Sequence, residues 1–295
     1  MNIQAWWIAF RPQTLIVSIA PVLLGLALAY NDFKNINWLI ASLTLVAAVL
    51  IQIGTNLIND LYDFINGADN DDRLGPIRVT QSGLISQKKI KRGAFFCFFL
   101  ALLIGGYLVY KGGIPILLIG SFALISGYCY TAGPYPLGYN GLGDIFVFIF
   151  FGLIAVPGTY YLQTQNLFNK EALLIGSAIG FIAVAILCVN NIRDIESDKK
   201  AGKKTLAVRF GRPSVIVLYD LMILFPYIAI GILFFSKDAF FLDFSLCLLL
   251  LSLPIAIGLT IDIHKKKNKE LNNILIRTSF FMRSFFMLLI IGIIL

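Results

Sequence analysis

The sequence predicts an all-α integral membrane protein. Three observations carry that reading: 58% of its 295 residues are hydrophobic, only 14% are charged, and the mean hydropathy is +0.83. A soluble chain of this length needs a far more polar surface. The apolar residues collect into nine runs, at residues 14–30, 37–57, 94–110, 114–130, 142–162, 171–190, 214–235, 239–262 and 275–295. Each approaches the roughly 20 residues that carry a helix across a bilayer. All are nearly continuous in Leu, Ile, Phe and Val, without the short alternating segments of a barrel, so helices are the expected spanning form.

The first run follows Arg11 and ends near Ala27-Leu28-Ala29, which invites comparison with a cleavable signal; the charge pattern needs it as a retained span. The second leads into Asn59, Asp60, Asp63 and Asp69. Lys111 separates the third from the fourth, and the fifth opens at Gly143-Asp144, where Asp144 is expected to cap the helix. The sixth leads into Asn190, Asp194 and Asp198, and Lys237 lies between the seventh and eighth. The ninth contains Arg283 about eight residues in, deep enough to predict that it faces the cavity or an acidic neighbour, or that the helix starts later. Residues 1–295 read as one domain without a low-complexity tail.

A net charge of +8 could indicate nucleic acid, but the basic residues alternate between the two sides of the predicted topology. With the N-terminus inside, 18 of the 24 Lys and Arg residues fall in cytoplasmic segments. Only Lys34, Lys111, Lys170 and Lys237 fall opposite. This positive-inside bias accounts for the charge without a nucleic-acid partner and places both acidic clusters toward the cytoplasm.

Asn59-x-x-x-Asp63 follows the second span and Asn190-x-x-x-Asp194 follows the sixth, so two four-helix repeats plus a ninth helix describe the chain. Four spans separate the clusters, which puts both on one membrane face. On a helix, positions i, i+4 and i+8 drift by only about 80°, so Asn190, Asp194 and Asp198 form one stripe, as do Asn59 and Asp63. Carboxylates at the end of apolar spans are costly unless a cation lies between them. The metal-ligand candidates are Asn59, Asp60, Asp63, Asp69, Asn190, Asp194 and Asp198; of these, Asn59, Asp63, Asp194 and Asp198 are the catalytic candidates. Mg²⁺ is the expected ion, because it binds a few carboxylates together with substrate phosphate oxygens.

Basic residues follow each cluster: Arg73 and Arg78 after the first, Lys203, Lys204 and Arg209 after the second. They are candidate diphosphate clamps, opposite the metal ligands. Gly202-Lys203-Lys204-Thr205 is not a P-loop end, since the required upstream glycine is Ser197. Asp69-Asn70-Asp71-Asp72 lacks the central Gly and terminal Glu of a calcium loop. His264, the single histidine, sits beside Lys265, Lys266 and Lys267 and reads as a solvated loop residue. Cys97, Cys129, Cys188 and Cys247 have no C-x-x-C spacing and read as packing residues.

Several ordered segments give a resemblance: Arg11-Pro12-Gln13-Thr14, Asn59-Asp60-Leu61-Tyr62-Asp63 through Asp69, Gly75-Pro76-Ile77-Arg78, Tyr130-Thr131-Ala132-Gly133-Pro134-Tyr135-Pro136-Leu137-Gly138, Gly141-Leu142-Gly143-Asp144, and Asn190-Asn191-Ile192-Arg193-Asp194 through Gly211. Over essentially its whole length the chain resembles the UbiA-type intramembrane aromatic prenyltransferases, most of all the branch acting on 1,4-dihydroxy-2-naphthoate in menaquinone biosynthesis. The resemblance implies nine helices around a central cavity and Mg²⁺-assisted ionisation of a polyprenyl diphosphate. An aromatic acceptor then attacks, with decarboxylation giving demethylmenaquinone, and the prenyl tail leaves into membrane lipid. It also makes Tyr130 and Tyr135 cavity candidates and Arg11 a partner for the acceptor carboxylate. The superfamily pattern has Asp eight positions after the Asn; here Gly67 stands there and Asp69 follows two later, which puts direct metal contact by Asp69 in question.

The alternative enzymatic acceptor is 4-hydroxybenzoate. A transporter or channel is the alternative class, disfavoured because polar residues deep in the spans are sparse.

Overall fold

A computed structural model describes residues 3–69, 73–235 and 247–295. Asp71, Asp72, Lys237 and the beginning of the eighth expected span lie outside the described residues. The chain is a multi-pass helical membrane protein, and no strand occurs among the described residues. A short helix α1 (Ile3–Phe10) precedes α2 (Pro12–Phe33), α3 (Trp38–Ile65), α4 (Gln87–Cys129), α5 (Gly143–Thr164), α6 (Lys170–Arg193), α7 (Ile195–Lys200), α8 (Leu206–Phe235), α9 (Cys247–Lys265) and α10 (Leu271–Ile294).

Among the described residues eight helices, against the nine spans expected, are long and apolar enough to cross a membrane. The difference arises in α4, whose 43 residues hold two of the expected spans. Gly113 has φ 66 and ψ −154, so two helices meet there without an intervening loop, and Pro115 begins the second arm. Gly211 breaks α8 similarly, at φ 78 before Pro213, leaving a short amphipathic turn ahead of the long span.

Local sequence sets the other ends. Asn37 Oδ1 accepts from Ile40 N at 3.1 Å to cap α3, and Asn169 Oδ1 accepts from Ala172 N at 2.7 Å to cap α6. Asp144 does not cap α5 as expected: Leu142 is the N-cap residue, and Asp144 sits inside the first turn, where its Oδ1 faces Cys188 Sγ at 4.0 Å.

Two buried cores position the site. Leu24, Leu28, Ile175, Ile179, Tyr219 and Phe281 join α2, α6, α8 and α10, whereas Leu57, Ile58, Ile90 and Ala94 join α3 to α4 beneath α1. Residues Phe148–Ile154 of α5 form a π-helical stretch, and its Gly152 lies against α6 so closely that a Cβ on Gly176 would fall 2.1 Å from the Gly152 carbonyl oxygen. Small residues permit that backbone approach. Arg283 lies on the exposed side of α10 and donates from Nε to Ser279 O at 3.3 Å, so neither a cavity position nor an acidic partner accounts for it.

Candidate functional site at the helix ends

The last turns of α3 present successive residues to different surroundings, because neighbours on a helix point about 100° apart. Asn59 and Asp63 line a cavity of about 910 Å³. Asn59 Oδ1 accepts from the Arg11 guanidinium at 2.7 Å and from Arg78 at 3.4 Å. Asp63 Oδ1 accepts from the Tyr139 hydroxyl at 2.9 Å and lies 2.9 Å from Lys203 Nζ.

Asp60, expected as a metal ligand, also lines the cavity, and the loop after α3 engages its carboxylate. Its carboxylate accepts from Val79 N at 3.3 Å, from Thr80 N at 2.9 Å and from the Thr80 hydroxyl, which fastens the loop after α3 to the helix. Asp69, by contrast, is absent from the cavity lining and pairs with Arg73 and, at 3.2 Å, with Arg78. These pairs hold both arginines at the cavity, where they were expected as diphosphate clamps.

The second cluster departs from a single helical stripe. α6 stops at Arg193, Asp194 takes a non-helical backbone (φ −97, ψ 12), and Asp198 belongs to the separate helix α7. A hydrogen bond from Asp198 N to Asp194 O at 2.8 Å keeps the two in register. Asn190, Asp194 and Asp198 all line the cavity. The loop after α7 then returns Lys203, whose Nζ stands 3.4 Å from Asp198 Oδ1 while touching Asp63, so a single ammonium joins the two acidic clusters.

Lys203, expected as a diphosphate clamp, lines the cavity and touches both carboxylates. Lys204 and Arg209 are exposed and absent from the lining; the Arg209 guanidinium donates to Asn140 O at 2.9 Å. Tyr130 lines the cavity, but Tyr135 is 59% exposed at the tip of a Pro-flanked loop and does not. His264 is exposed as expected, with Nε2 2.7 Å from an Asp220 oxygen. All four cysteines are free.

The structure adds three residues that sequence reasoning passed over. Tyr139 donates to Asp63, and Arg193 grips both oxygens of Asp194, at 2.8 and 2.6 Å. Arg193 also donates to Asn272 Oδ1 at 2.9 Å, and Asn272 Nδ2 donates to Leu74 O at 2.9 Å, tying the second cluster to α10 and to the first loop. Arg193 stands inside the quoted motif and could have been found there; no local signal marked Tyr139 or Asn272.

The electrostatics follow from burial and neighbours. Burial lifts the Asp198 carboxyl to about 6 against the pull of Lys203. Burial disfavours the Asp194 anion too, but the Arg193 hydrogen bonds and charge hold that carboxyl below its ordinary value. Burial also opposes the Lys203 cation, yet Asp63 and Asp198 keep it above the usual lysine range.

The donors are hard oxygens from two chain segments. Oδ1 of Asp63 and of Asp198 faces Lys203, and both residues line the cavity. Among the described residues no three or more His, Cys, Asp or Glu side chains form a cage. An open, sparse oxygen set fits a small divalent cation that completes its shell with water or phosphate. Away from these groups the cavity becomes apolar, lined by Leu102, Ile116, Phe146, Phe150, Phe151 and Ile154.

Residues 18–288 match the UbiA prenyltransferase family. The 1,4-dihydroxy-2-naphthoate octaprenyltransferase of Haemophilus influenzae is 40% identical over 217 residues, covering 71% of this chain and 70% of that protein. The Escherichia coli protein of the same name is 41% identical over 214 residues, covering 70% and 69%. Among solved structures, an apo UbiA homolog from Aeropyrum pernix superimposes with a TM-score of 0.69 at 15% identity, covering 94% of this chain and 98% of that one. A UbiA homolog from Archaeoglobus fulgidus bound to GPP and Mg²⁺ gives 0.63 at 19% identity, covering 97% and 99%. At such identities these two report on the fold alone. The family match spans nearly the whole chain, and with the two relatives above it makes this protein a member of the UbiA prenyltransferase family.

Proposed function

We propose that the protein transfers a polyprenyl group from polyprenyl diphosphate to 1,4-dihydroxy-2-naphthoate with loss of the acceptor carboxyl, giving demethylmenaquinone for menaquinone biosynthesis. The observation that carries the reading is the meeting of Asp63 and Asp198 through Lys203 in a largely apolar cavity. The names of the Haemophilus influenzae and Escherichia coli relatives support this acceptor.

Asp63, Asp194 and Asp198, with Asn59 and Asn190, are the residues to hold Mg²⁺. That ion supplies charge neutralisation of the departing diphosphate. Arg73 and Arg78 face the same leaving group, their guanidinium groups held in place by Asp69. The allylic C–O bond breaks with its electron pair going to the diphosphate. A ring carbon of the acceptor bonds the allylic carbon, and the carboxyl leaves as carbon dioxide, its electron pair restoring the aromatic ring. Phe146, Phe150 and Phe151 give the apolar section aromatic faces suited to a carbocation and exclude water from it. Tyr130 and Arg11 border the region where an acceptor meets the polar groups.

The positive-inside bias supports a plasma-membrane orientation with the N-terminus and both acidic clusters facing the cytoplasm. Membranes containing the protein are to be incubated with Mg²⁺, a polyprenyl diphosphate and either 1,4-dihydroxy-2-naphthoate or 4-hydroxybenzoate, with products identified by mass. The expected result is a decarboxylated prenyl-naphthalene product that disappears when Mg²⁺ is chelated. Prenylation of 4-hydroxybenzoate alone would reassign the acceptor, and a product that persists without divalent cation would remove the metal from the reading.

A further inference from the structure

We infer that Tyr139 is a positioning residue for Asp63: its hydroxyl and its ring together decide which carboxylate oxygen faces the cavity and where Lys203 stands. The inference deepens the proposed function and rests on it. Tyr139 donates to Asp63 Oδ1 at 2.9 Å, and Lys203 Nζ approaches that same oxygen at 2.9 Å. The Lys203 ammonium also lies 4.7 Å from the centre of the Tyr139 ring and 3.4 Å from Asp198 Oδ1. One oxygen of Asp63 is thus engaged by two donors, which leaves Oδ2 as the oxygen to meet a cation. The same ammonium keeps the two carboxylates close despite their like charge.

The backbone delivers Tyr139 to this point from a loop that is itself fastened. Gly138 N donates to Tyr130 O at 2.8 Å, and Tyr139 O accepts from Lys204 N at 2.7 Å, so Tyr139 and Lys203 arrive on two segments joined next to both residues. Gly141, at φ 74, lets the first segment lie against the second; a Cβ there would meet Lys204 O at 2.7 Å. A loop staple would need only these backbone bonds. The phenol hydroxyl does something further, because it selects one carboxylate oxygen, and the ring restrains the lysine by a cation–π contact.

Replacing Tyr139 by Phe keeps the ring and the backbone bonds and removes the hydroxyl, freeing Asp63 to rotate. The test uses purified full-length protein in detergent, with Mg²⁺ and inorganic pyrophosphate as the probe and thermal unfolding as the readout. Tyr139→Phe is expected to unfold at the wild-type temperature without ligand, yet to need roughly tenfold more Mg²⁺ for half of the pyrophosphate-induced shift, as befits one hydrogen bond to a charged group. Tyr139→Leu, which also removes the cation–π contact, is expected to need more still. In prenyl transfer, half-saturating Mg²⁺ should rise by a larger factor than kcat falls. A Tyr139→Phe titration within twofold of wild type would overturn the inference, as would a lowered unfolding temperature without ligand, which marks a staple. If the wild-type protein shows no Mg²⁺-dependent shift and no prenyl transfer, the proposed function fails and takes this inference with it.

Discussion

The Arg11 guanidinium donates to Asn59 Oδ1 at 2.7 Å, from a backbone held in the left-handed region at φ 54 and ψ 64. A non-glycine residue in that region costs about 1–3 kcal/mol, so α1 and α2 meet at a strained joint whose side chain reaches the first acidic cluster. Asn56 Nδ2 secures the joint by donating to Phe10 O at 3.0 Å.

The joint predicts a separation of stability from activity. Arg11→Gly relieves the backbone and Arg11→Ala does not, so the glycine variant should be more stable than the alanine variant by about 1 kcal/mol. Both should lose at least roughly tenfold in kcat/KM through the missing charged hydrogen bond. Thermal unfolding and steady-state kinetics on the two variants check both halves.

Adjacent carboxylates should behave differently. Asp63→Ala, Asp194→Ala or Asp198→Ala removes a cavity oxygen pair and should abolish turnover, while the protein remains folded in the membrane. Asp60→Ala leaves Val79 N and Thr80 without their acceptor and should instead cost roughly 3 kcal/mol of stability. Unfolding curves in detergent beside product formation separate the two classes; near-normal activity in both Asp63→Ala and Asp198→Ala would falsify the metal assignment.

Gly176→Leu should destabilise the bundle most among single changes remote from the polar site. Its side chain has no room beside the Gly152 carbonyl, and the α5–α6 pair must separate or bend to admit it. A sharp fall in the yield of monodisperse protein is the expected outcome. Gly106→Leu, where a Cβ meets nothing within 4 Å, serves as the comparison.

Much of the site was legible in one dimension. Asn59, Asp63, Asn190 and Asp194 line the cavity together, as their spacing predicted, and Arg73, Arg78, Arg11 and Asp198 line it as well. Tyr135, Lys204 and Arg209 do not: Tyr135 and Lys204 are loop residues with no periodicity from which a direction can be read, and Arg209, in the first turn of α8, turns to the Asn140 carbonyl. The stripe through Asp198 failed for a related reason: α6 ends at Arg193, and helical spacing cannot be carried across a cap.

Composition and hydropathy by themselves determined that the chain is a helical membrane protein, because roughly 20-residue apolar runs have few other ways to satisfy their backbone. Charge alternation and the two Asn/Asp motifs determined the expected face and the expected chemistry. Only the tertiary structure decided the division of labour among carboxylates. Asp60 holds Thr80 and Asp69 holds Arg73, whereas Asp63 and Asp198 share Lys203 at the cavity, since a carboxylate's surroundings are set by the donor beside it. Those donors, Thr80, Arg73 and Lys203, come from loops whose paths no local pattern prescribes.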